Sequence, residues 1–352
     1  MLRGARATLE RAAGALRSRA SKEARRQLAL KDAENSALRR ELARLRPDGE
    51  LHGHARGVPV FFVVGNQKSG TTWLMRMLDA HPEVLCRGEG RFFGAGWRQK
   101  SLIQKDARRP PSSLYNAVLD AEYLRLWIER SVWSRNEDAG EHLDNLTRMA
   151  IDYFLRGELL KSGKKIVGDK SPLLTPETIR EIFALYPEAR VIHIIRDGRD
   201  VAVSAAYHAR NFGRPRRQDG PDTGVFPRGQ LERLAADWAS RVGRTVEDGP
   251  ELLGDNYTEV RYEHLLERPE KELRRLTEFL GVDSGEETTR RCVNAASFEK
   301  LSRGRKRGEE DPSSFFRKGV AGDWKNVFTR LDVEVFHEAA GDLLVKLGYA
   351  GS

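Results

Sequence analysis

Four short runs rich in β-branched and other apolar residues punctuate the chain, near 60–64, 165–168, 191–195 and 258–262. Val60-Phe61-Phe62-Val63-Val64 and Val191-Ile192-His193-Ile194-Ile195 are nearly continuous in apolar character, the pattern of strands covered on both faces. Longer stretches between them place apolar residues three and four apart. Leu74, Met77 and Leu78 form one such helical stripe. Tyr123, Leu124, Trp127 and Ile128 form another, read as core. Strands alternating with helices predict an α/β fold with a central parallel sheet flanked by helices, filling residues 58–352. Residues 210–228 are rich in Gly, Pro and Arg and predict a long loop or lid.

A different pattern precedes this core. Residues 1–46 are rich in Ala, Arg, Leu and Glu and lack proline, so they predict a helix. Leu28, Lys31, Asn35, Leu38, Leu42 and Leu45 trace a short heptad, with Asn35 at a position that favours a dimeric register. The N-terminal segment, 1–50, is therefore read as a basic helix, either solvated or pairing as a short coiled coil in a homodimer. Residues 51–57 form a linker.

The net charge of +9 changes meaning once it is partitioned. Residues 1–50 hold 13 Lys+Arg against 7 Asp+Glu, so most of the excess lies outside the predicted core. No zinc-ligand spacing, helix-turn-helix cue or interleaving of aromatic and basic residues accompanies it, and no nucleic-acid partner is expected. No run approaches the roughly 18 apolar residues of a membrane span. Cys86 and Cys292 make no disulfide framework, and with no apolar leader at the N-terminus a cytoplasmic location is expected.

The densest chemistry follows the first strand. Lys68-Ser69-Gly70-Thr71-Thr72-Trp73 lies between that strand and an apolar helix, giving strand, tight loop, helix. The N–H groups of such a loop and of the helix start converge on an anion, and glycine lets phosphate approach the main chain. Lys68 adds a point charge, and Ser69, Thr71 and Thr72 add hydroxyls. In the nucleotide-triphosphate loop the lysine follows the second glycine. Here it precedes Ser69-Gly70, which disfavours magnesium-dependent ATP hydrolysis. Further on, Arg196 stands at the carboxyl end of a predicted buried strand, where ligands bind in open α/β sheets. Ser204 follows it by about two helical turns. Arg317-Lys318-Gly319, bracketed by aromatics, joins two cations to a glycine that bares its N–H, again suited to phosphate.

Together these segments resemble the sulfotransferases that use 3′-phosphoadenosine 5′-phosphosulfate (PAPS). Lys68 to Trp73 resembles the family's 5′-phosphosulfate loop, and Arg196 with Ser204 its 3′-phosphate motif. Phe315-Phe316-Arg317-Lys318-Gly319-Val320-Ala321-Gly322-Asp323-Trp324-Lys325 resembles its C-terminal signature. The resemblance implies a P-loop-like core, PAPS as co-substrate, and no metal. It assigns Arg317, Lys318 and Gly319 to the 3′-phosphate, and Tyr262, Ser297 and Phe298 to the surroundings of the adenine. It runs in family order from about Val58 to Lys325.

The candidate base also comes from resemblance. Cytosolic members use a His in a Lys-Thr-His-Leu-Pro segment, whereas this chain reads Asp169-Lys170-Ser171-Pro172-Leu173. The stretch from Leu78 to Glu89 resembles tyrosylprotein sulfotransferases, and Glu89-Gly90-Arg91-Phe92-Phe93 resembles heparan-type enzymes, both of which use a Glu. Glu89 is thereby the expected general base, with Glu83 as rival. Lys68 and Lys170 are expected to stabilise transferring charge, and His208 to be structural or acceptor-side. The family's dimer segment is matched at Lys325, Thr329 and Glu334, but Arg330 replaces its Val, which puts that dimer in doubt. The expected reaction is sulfuryl transfer to a hydroxyl or amine of a small molecule, glycan or peptide. A P-loop kinase or NTPase, and a nucleotide-binding scaffold without turnover, are the alternatives.

Overall fold

The structure, a computed structural model, describes residues 59–94, 114, 122–134, 139–212, 225–227 and 229–349. All belong to the unit Val58–Ser352. The helix, heptad and linker read over 1–57 lie outside the described residues, as does most of the stretch read as a lid.

Among the described residues, five parallel strands form one sheet: β1 (Val60–Gly65), β2 (Val84–Gly88), β3 (Ile166–Pro172), β4 (Arg190–Ile195) and β5 (Tyr257–Arg261). Their order is β2-β3-β1-β4-β5. The helices are α1 (Thr71–Asp79), α2 (Glu122–Arg130), α3 (Ala139–Ser162), α4 (Thr178–Leu185), α5 (Gly198–Phe212), α6 (Gln230–Leu253), α7 (Tyr262–Glu267), α8 (Pro269–Leu280), α9 (Glu286–Ala295), α10 (Phe298–Leu301) and α11 (Arg330–Lys346). The α/β expectation with a central parallel sheet holds. No helix among the described residues is long and apolar enough to cross a membrane.

The central strand shows why both faces are covered. Phe61 and Val63 point to one cluster with Leu74, Met77 and Leu78 of α1 and Leu276 of α8. Phe62 and Val64 point to the other, with Ile151 of α3 and Ile182 of α4. Phe62 packs edge-on against Phe93 at 5.2 Å, and removing such a fully buried ring costs about 3–5 kcal/mol. The polar member of β4 is reconciled by neutrality. His193 is buried, its Nδ1 lies 2.7 Å from the Tyr257 hydroxyl, and burial followed by the Arg261 charge lowers its pKa to about 3.

Three expectations need correction. Val84–Gly88 is a strand, paired with β3, where no strand was expected. Its last residues, Arg87 and Gly88, are exposed, so only three buried positions marked it. The predicted strand at 258–262 stops at Arg261, and Tyr262 opens α7 instead. The stripe on α2 is not core throughout: Ile128 is buried, but Tyr123 is 89% exposed and Trp127 60%. At the doubtful dimer segment, Thr329 caps α11 through Asp332 and Arg330 pairs with Glu334 at 3.3 Å, so both residues have local partners.

The sheet order decides where a ligand belongs. The chain leaves β1 toward β2 on one side and later takes β4 on the other. The crevice outside the carboxyl ends of such strands is the binding position in open α/β sheets. The loops after β1, β2 and β4 and the start of α7 all open there.

Candidate active site

The loop after β1 turns sharply. The Ser69 N–H donates to the Asn66 carbonyl at 3.1 Å, while Lys68 and Gly70 both take left-handed angles, φ 72° and 93°. Alternation of this kind points successive N–H groups to one side. Gly70 is also the N-cap of α1 and brings no capping side chain, so the first-turn N–H groups face a ligand site. Only glycine fits there, because a Cβ would lie 2.6 Å from the Tyr262 ring. Ser69 is fully buried, and its hydroxyl has no hydrogen-bond partner among the described residues.

This cradle opens into a cavity of about 400 Å³. Lys68, Gly70, Thr71, Thr72 and Trp73 line it from the loop and helix start, Arg196 and Ser204 from β4 and α5, and Tyr262 from α7. Arg196 is held in place rather than loose. It donates to the Lys68 and Val320 carbonyls, each at 3.1 Å, and lies 4.3 Å over the Tyr262 ring. Arg317, Lys318, Gly319 and Phe298 complete the wall. A Cβ at Gly319, φ 67°, would strike the Phe298 ring at 2.5 Å, so that contact too requires glycine.

The C-terminal cations already have acidic partners. Asp323 accepts from Lys318 at 2.6 Å and from Arg317, and Glu310 accepts from Arg317 at 2.5 Å. Burial raises the Asp323 pKa, but its bonds to Lys318 and Arg317 outweigh that and hold it at about 2. Asp323 therefore stays ionised and anchors the two side chains at the cavity wall.

Glu89 follows β2 and lines the same cavity, its side chain 52% exposed. Lys170, on the neighbouring strand β3 and only 6% exposed, donates to it at 2.5 Å and lies 3.5 Å from Thr72 Oγ1. Register makes the meeting, since Gly88 pairs with Lys170 across the sheet. Asp169, buried, accepts the N–H of Gly90 at 2.9 Å and the Ser171 hydroxyl at 2.6 Å, which fixes the backbone beside Glu89. Its pKa is raised, chiefly by burial. Lys68 is lowered to about 8: burial dominates, Glu89 opposes it and Lys170 adds to it. Its ammonium lies 5.0 Å over Phe315, which stands edge-on to His208 at 6.2 Å. His208 lines the cavity, and its pKa falls through burial and the Lys68 charge.

Most sequence-predicted residues thus meet at one cavity. Ser69 and Ser297 do not line it. The Ser297 hydroxyl caps α10 by accepting from the Lys300 N–H. Lys170 reaches the cavity through Glu89. Glu83, the rival base, is instead tied to Lys165 and the Asp283 N–H. Sequence reasoning missed Gln67, Asp200, Arg307 and the lining role of Phe315. Asp200 accepts the N–H groups of Gly322 and Trp324, a role that no local pattern announces. Among the described residues no cluster of three His, Cys, Asp or Glu is placed to hold a metal.

Residues 59–286 match the model of the Sulfotransferase family. The chain belongs to this family. It is 26% identical over 260 residues to Protein-tyrosine sulfotransferase A of Caenorhabditis elegans, which covers 71% of this chain and 56% of that relative. It is 30% identical over 200 residues to Sulfotransferase 1A1 of Bos taurus, covering 51% of this chain and 62% of that relative. The match thus spans less than two thirds of either relative. Among solved structures, mouse sulfotransferase SULT7A1 complexed with PAP superposes with a TM-score of 0.47 at 20% identity, over 81% of this chain and 85% of that one.

Proposed function

We propose that this chain transfers the sulfuryl group of PAPS to an acceptor hydroxyl or amine, with Glu89 as general base. The observation that carries the reading is a single cavity bearing the Lys68 cradle, the cations Arg196, Arg317 and Lys318, and the Glu89 carboxylate. Phosphate recognition at two separate places suits a nucleotide phosphorylated at both the 5′ and 3′ positions. The apolar wall of Trp73, Tyr262 and Phe298 suits its base.

Each side chain has a task in this reaction. Glu89 accepts the proton as the acceptor atom bonds to sulfur and the bond from sulfur to the phosphate oxygen breaks. Lys68 and the first-turn N–H groups of α1 stabilise the charge that collects on the departing phosphate. Lys170 holds Glu89 in place and offers a second cation to the transferring group. Arg196, Ser204, Arg317, Lys318 and Gly319 hold the 3′-phosphate. No metal enters the scheme. Cys86 and Cys292 are both free and buried, which supports a reducing, cytoplasmic setting for this reading. The likeness to a protein-tyrosine sulfotransferase makes a peptide tyrosine the first acceptor to try.

Calorimetric titration with adenosine 3′,5′-bisphosphate, with AMP as control, tests the nucleotide. Tight binding of the bisphosphate alone, kept in Glu89→Gln, is expected. Transfer from PAPS should then fall by at least about a hundredfold in Glu89→Gln, the scale of a lost general base. Equal binding of AMP, or full transfer by Glu89→Gln, would overturn the respective half of the proposal.

A further inference from the structure

Among the described residues, most of the large apolar side chains that stand open to solvent lie on α2, the turn after it and α3. The pattern is clearest on α3. Its buried side, Leu143, Thr147, Ile151 and Leu155, repeats every four residues. On the outward side Leu146, Met149, Tyr153 and Leu160 follow one another at spacings of three, four and seven. At 3.6 residues per turn these four fall within an arc of about 60°. That is the seam of a helix pair, yet here it faces solvent, with Tyr153 76% exposed and Leu160 72%. Phe154 stands edge-on to Tyr153 at 5.4 Å and widens the strip. α2 packs beside α3 and adds Tyr123 and Trp127, with Trp133 in the turn that follows it.

The seam is symmetric about Tyr153. Leu146 and Leu160 lie seven residues to either side of it, and Met149 and Gly157 lie four. A second copy laid antiparallel, with Tyr153 at the axis, sets Leu146 against Leu160 and Met149 against Gly157. A Cβ at Gly157 would meet nothing within 4 Å, so the space beside it is open to Met149 of the partner subunit. Exposed Arg156 comes within reach of Asp152 of the partner subunit. Charge and area favour this occupant. α2 and α3 together carry five Lys+Arg against six Asp+Glu, which attracts neither an anionic lipid surface nor nucleic acid and barely repels a second copy. The exposed parts of Tyr123, Trp127, Trp133, Tyr153 and Phe154 present roughly 700 Å² at the usual size of such side chains. A standard interface takes about 800 Å² from each partner.

We propose that two copies of this chain pair through antiparallel α3 helices, with Tyr153 on the two-fold axis and the aromatics of α2 at the flanks. Such a contact closes on itself, because the same surface serves both copies. It is a different surface from residues 1–50 and from the segment Lys325 to Glu334. No residue of α2 or α3 lines the active-site cavity, so the seam is separate from it.

Light scattering and site-directed cross-linking of the full chain test the pairing. At about 10 μM the wild-type chain should show the mass of a dimer. Co-expressed Leu146→Cys and Leu160→Cys chains should be joined by a short bis-maleimide, while neither variant by itself should be. Cys86 and Cys292 are buried, so the wild-type chain serves as the blank. Adding Tyr153→Glu sets two carboxylates on the axis and should cut the mixed cross-link at least about tenfold, with the helical circular dichroism kept. Tyr153→Phe should retain the cross-link. A wild-type monomer overturns the pairing, and so does a dimer without the mixed cross-link, which would be held by another surface. A mixed cross-link that Tyr153→Glu leaves intact overturns it as well. Cross-linking of Leu146→Cys to itself overturns the antiparallel arrangement.

Discussion

Asp200, in the first turn of α5, accepts the backbone N–H of Trp324 at 2.9 Å, across 124 positions of sequence. The same carboxylate accepts the Gly322 N–H at 2.8 Å and lies 3.4 Å from Arg196. It therefore ties the helix that carries Ser204 to the segment that carries Arg317 and Lys318. Asp200→Ala would leave two N–H groups and a buried guanidinium without this acceptor. A stability loss of about 3 kcal/mol is expected in chemical denaturation. Affinity for adenosine 3′,5′-bisphosphate should fall with it. Unchanged stability would mean that the C-terminal segment is held by other contacts.

On the proposed reading, Lys68 should make nucleotide binding depend on pH. Its pKa of about 8 in the free protein lies below the ordinary lysine value, because burial lowers it by more than the Glu89 carboxylate raises it, and the Lys170 charge lowers it further. A bound phosphate favours the ammonium and raises that pKa. Affinity should thus be greatest below pH 8 and decline above it. Near pH 8 binding should take up protons, visible as a dependence of the calorimetric heat on buffer ionisation. Folding has its own linkage. The unfolded lysine binds its proton up to about pH 10.4 while the folded one releases it near pH 8. Lys68 therefore opposes folding below pH 8, and that opposition fades as pH rises toward the unfolded value. Affinity that stays level from pH 7 to pH 9 would remove Lys68 from the phosphate site.

Much of this site was legible because its chemistry is local. Val60 to Trp73 carries strand, loop and helix start in one continuous stretch, and Arg317-Lys318-Gly319 carries two cations and the needed glycine in sequence. Arg196 could be read from its place at the end of a buried strand. The rest depends on contacts that sequence order does not encode. Strand β2 hid because exposed Arg87 and Gly88 cut its apolar run to three. Ser297, expected near the adenine, does not line the cavity, and its hydroxyl caps α10. Asp200 and Arg307 look like ordinary surface charges until distant segments fold against them.

On the proposed nucleotide reading, Glu310 should compete with a bound phosphate for Arg317. Its carboxylate takes one guanidinium N–H at 2.5 Å and lies 3.9 Å from the Lys318 ammonium. Neutralising it frees positive charge for a phosphate. Glu310→Gln should tighten binding of adenosine 3′,5′-bisphosphate by about threefold, the scale of a partly exposed ion pair. The gain should shrink at high salt, where screening weakens the freed charge. Weaker binding in Glu310→Gln would instead mean that Glu310 orients Arg317 for the ligand.

Asp169 acts on Glu89 through the backbone. It is 2% exposed and accepts the Gly90 N–H, so the residue next to the proposed base is fixed to β3. Lys170, its neighbour on that strand, holds the Glu89 carboxylate itself. Asp169→Ala removes the first restraint and keeps the second, leaving Glu89 present but loosely aimed. Displacing a reacting group by about 1 Å can cost on the order of a hundredfold in rate. Asp169→Ala should therefore lower kcat for transfer by about ten- to a hundredfold. Binding of adenosine 3′,5′-bisphosphate, which depends on the Lys68 cradle and the C-terminal cations, should hold within about twofold. Asp169→Asn retains an acceptor oxygen for Gly90 and should recover most of the rate. A variant that loses rate and nucleotide affinity together would show that Asp169 supports the sheet edge as a whole rather than the aim of Glu89.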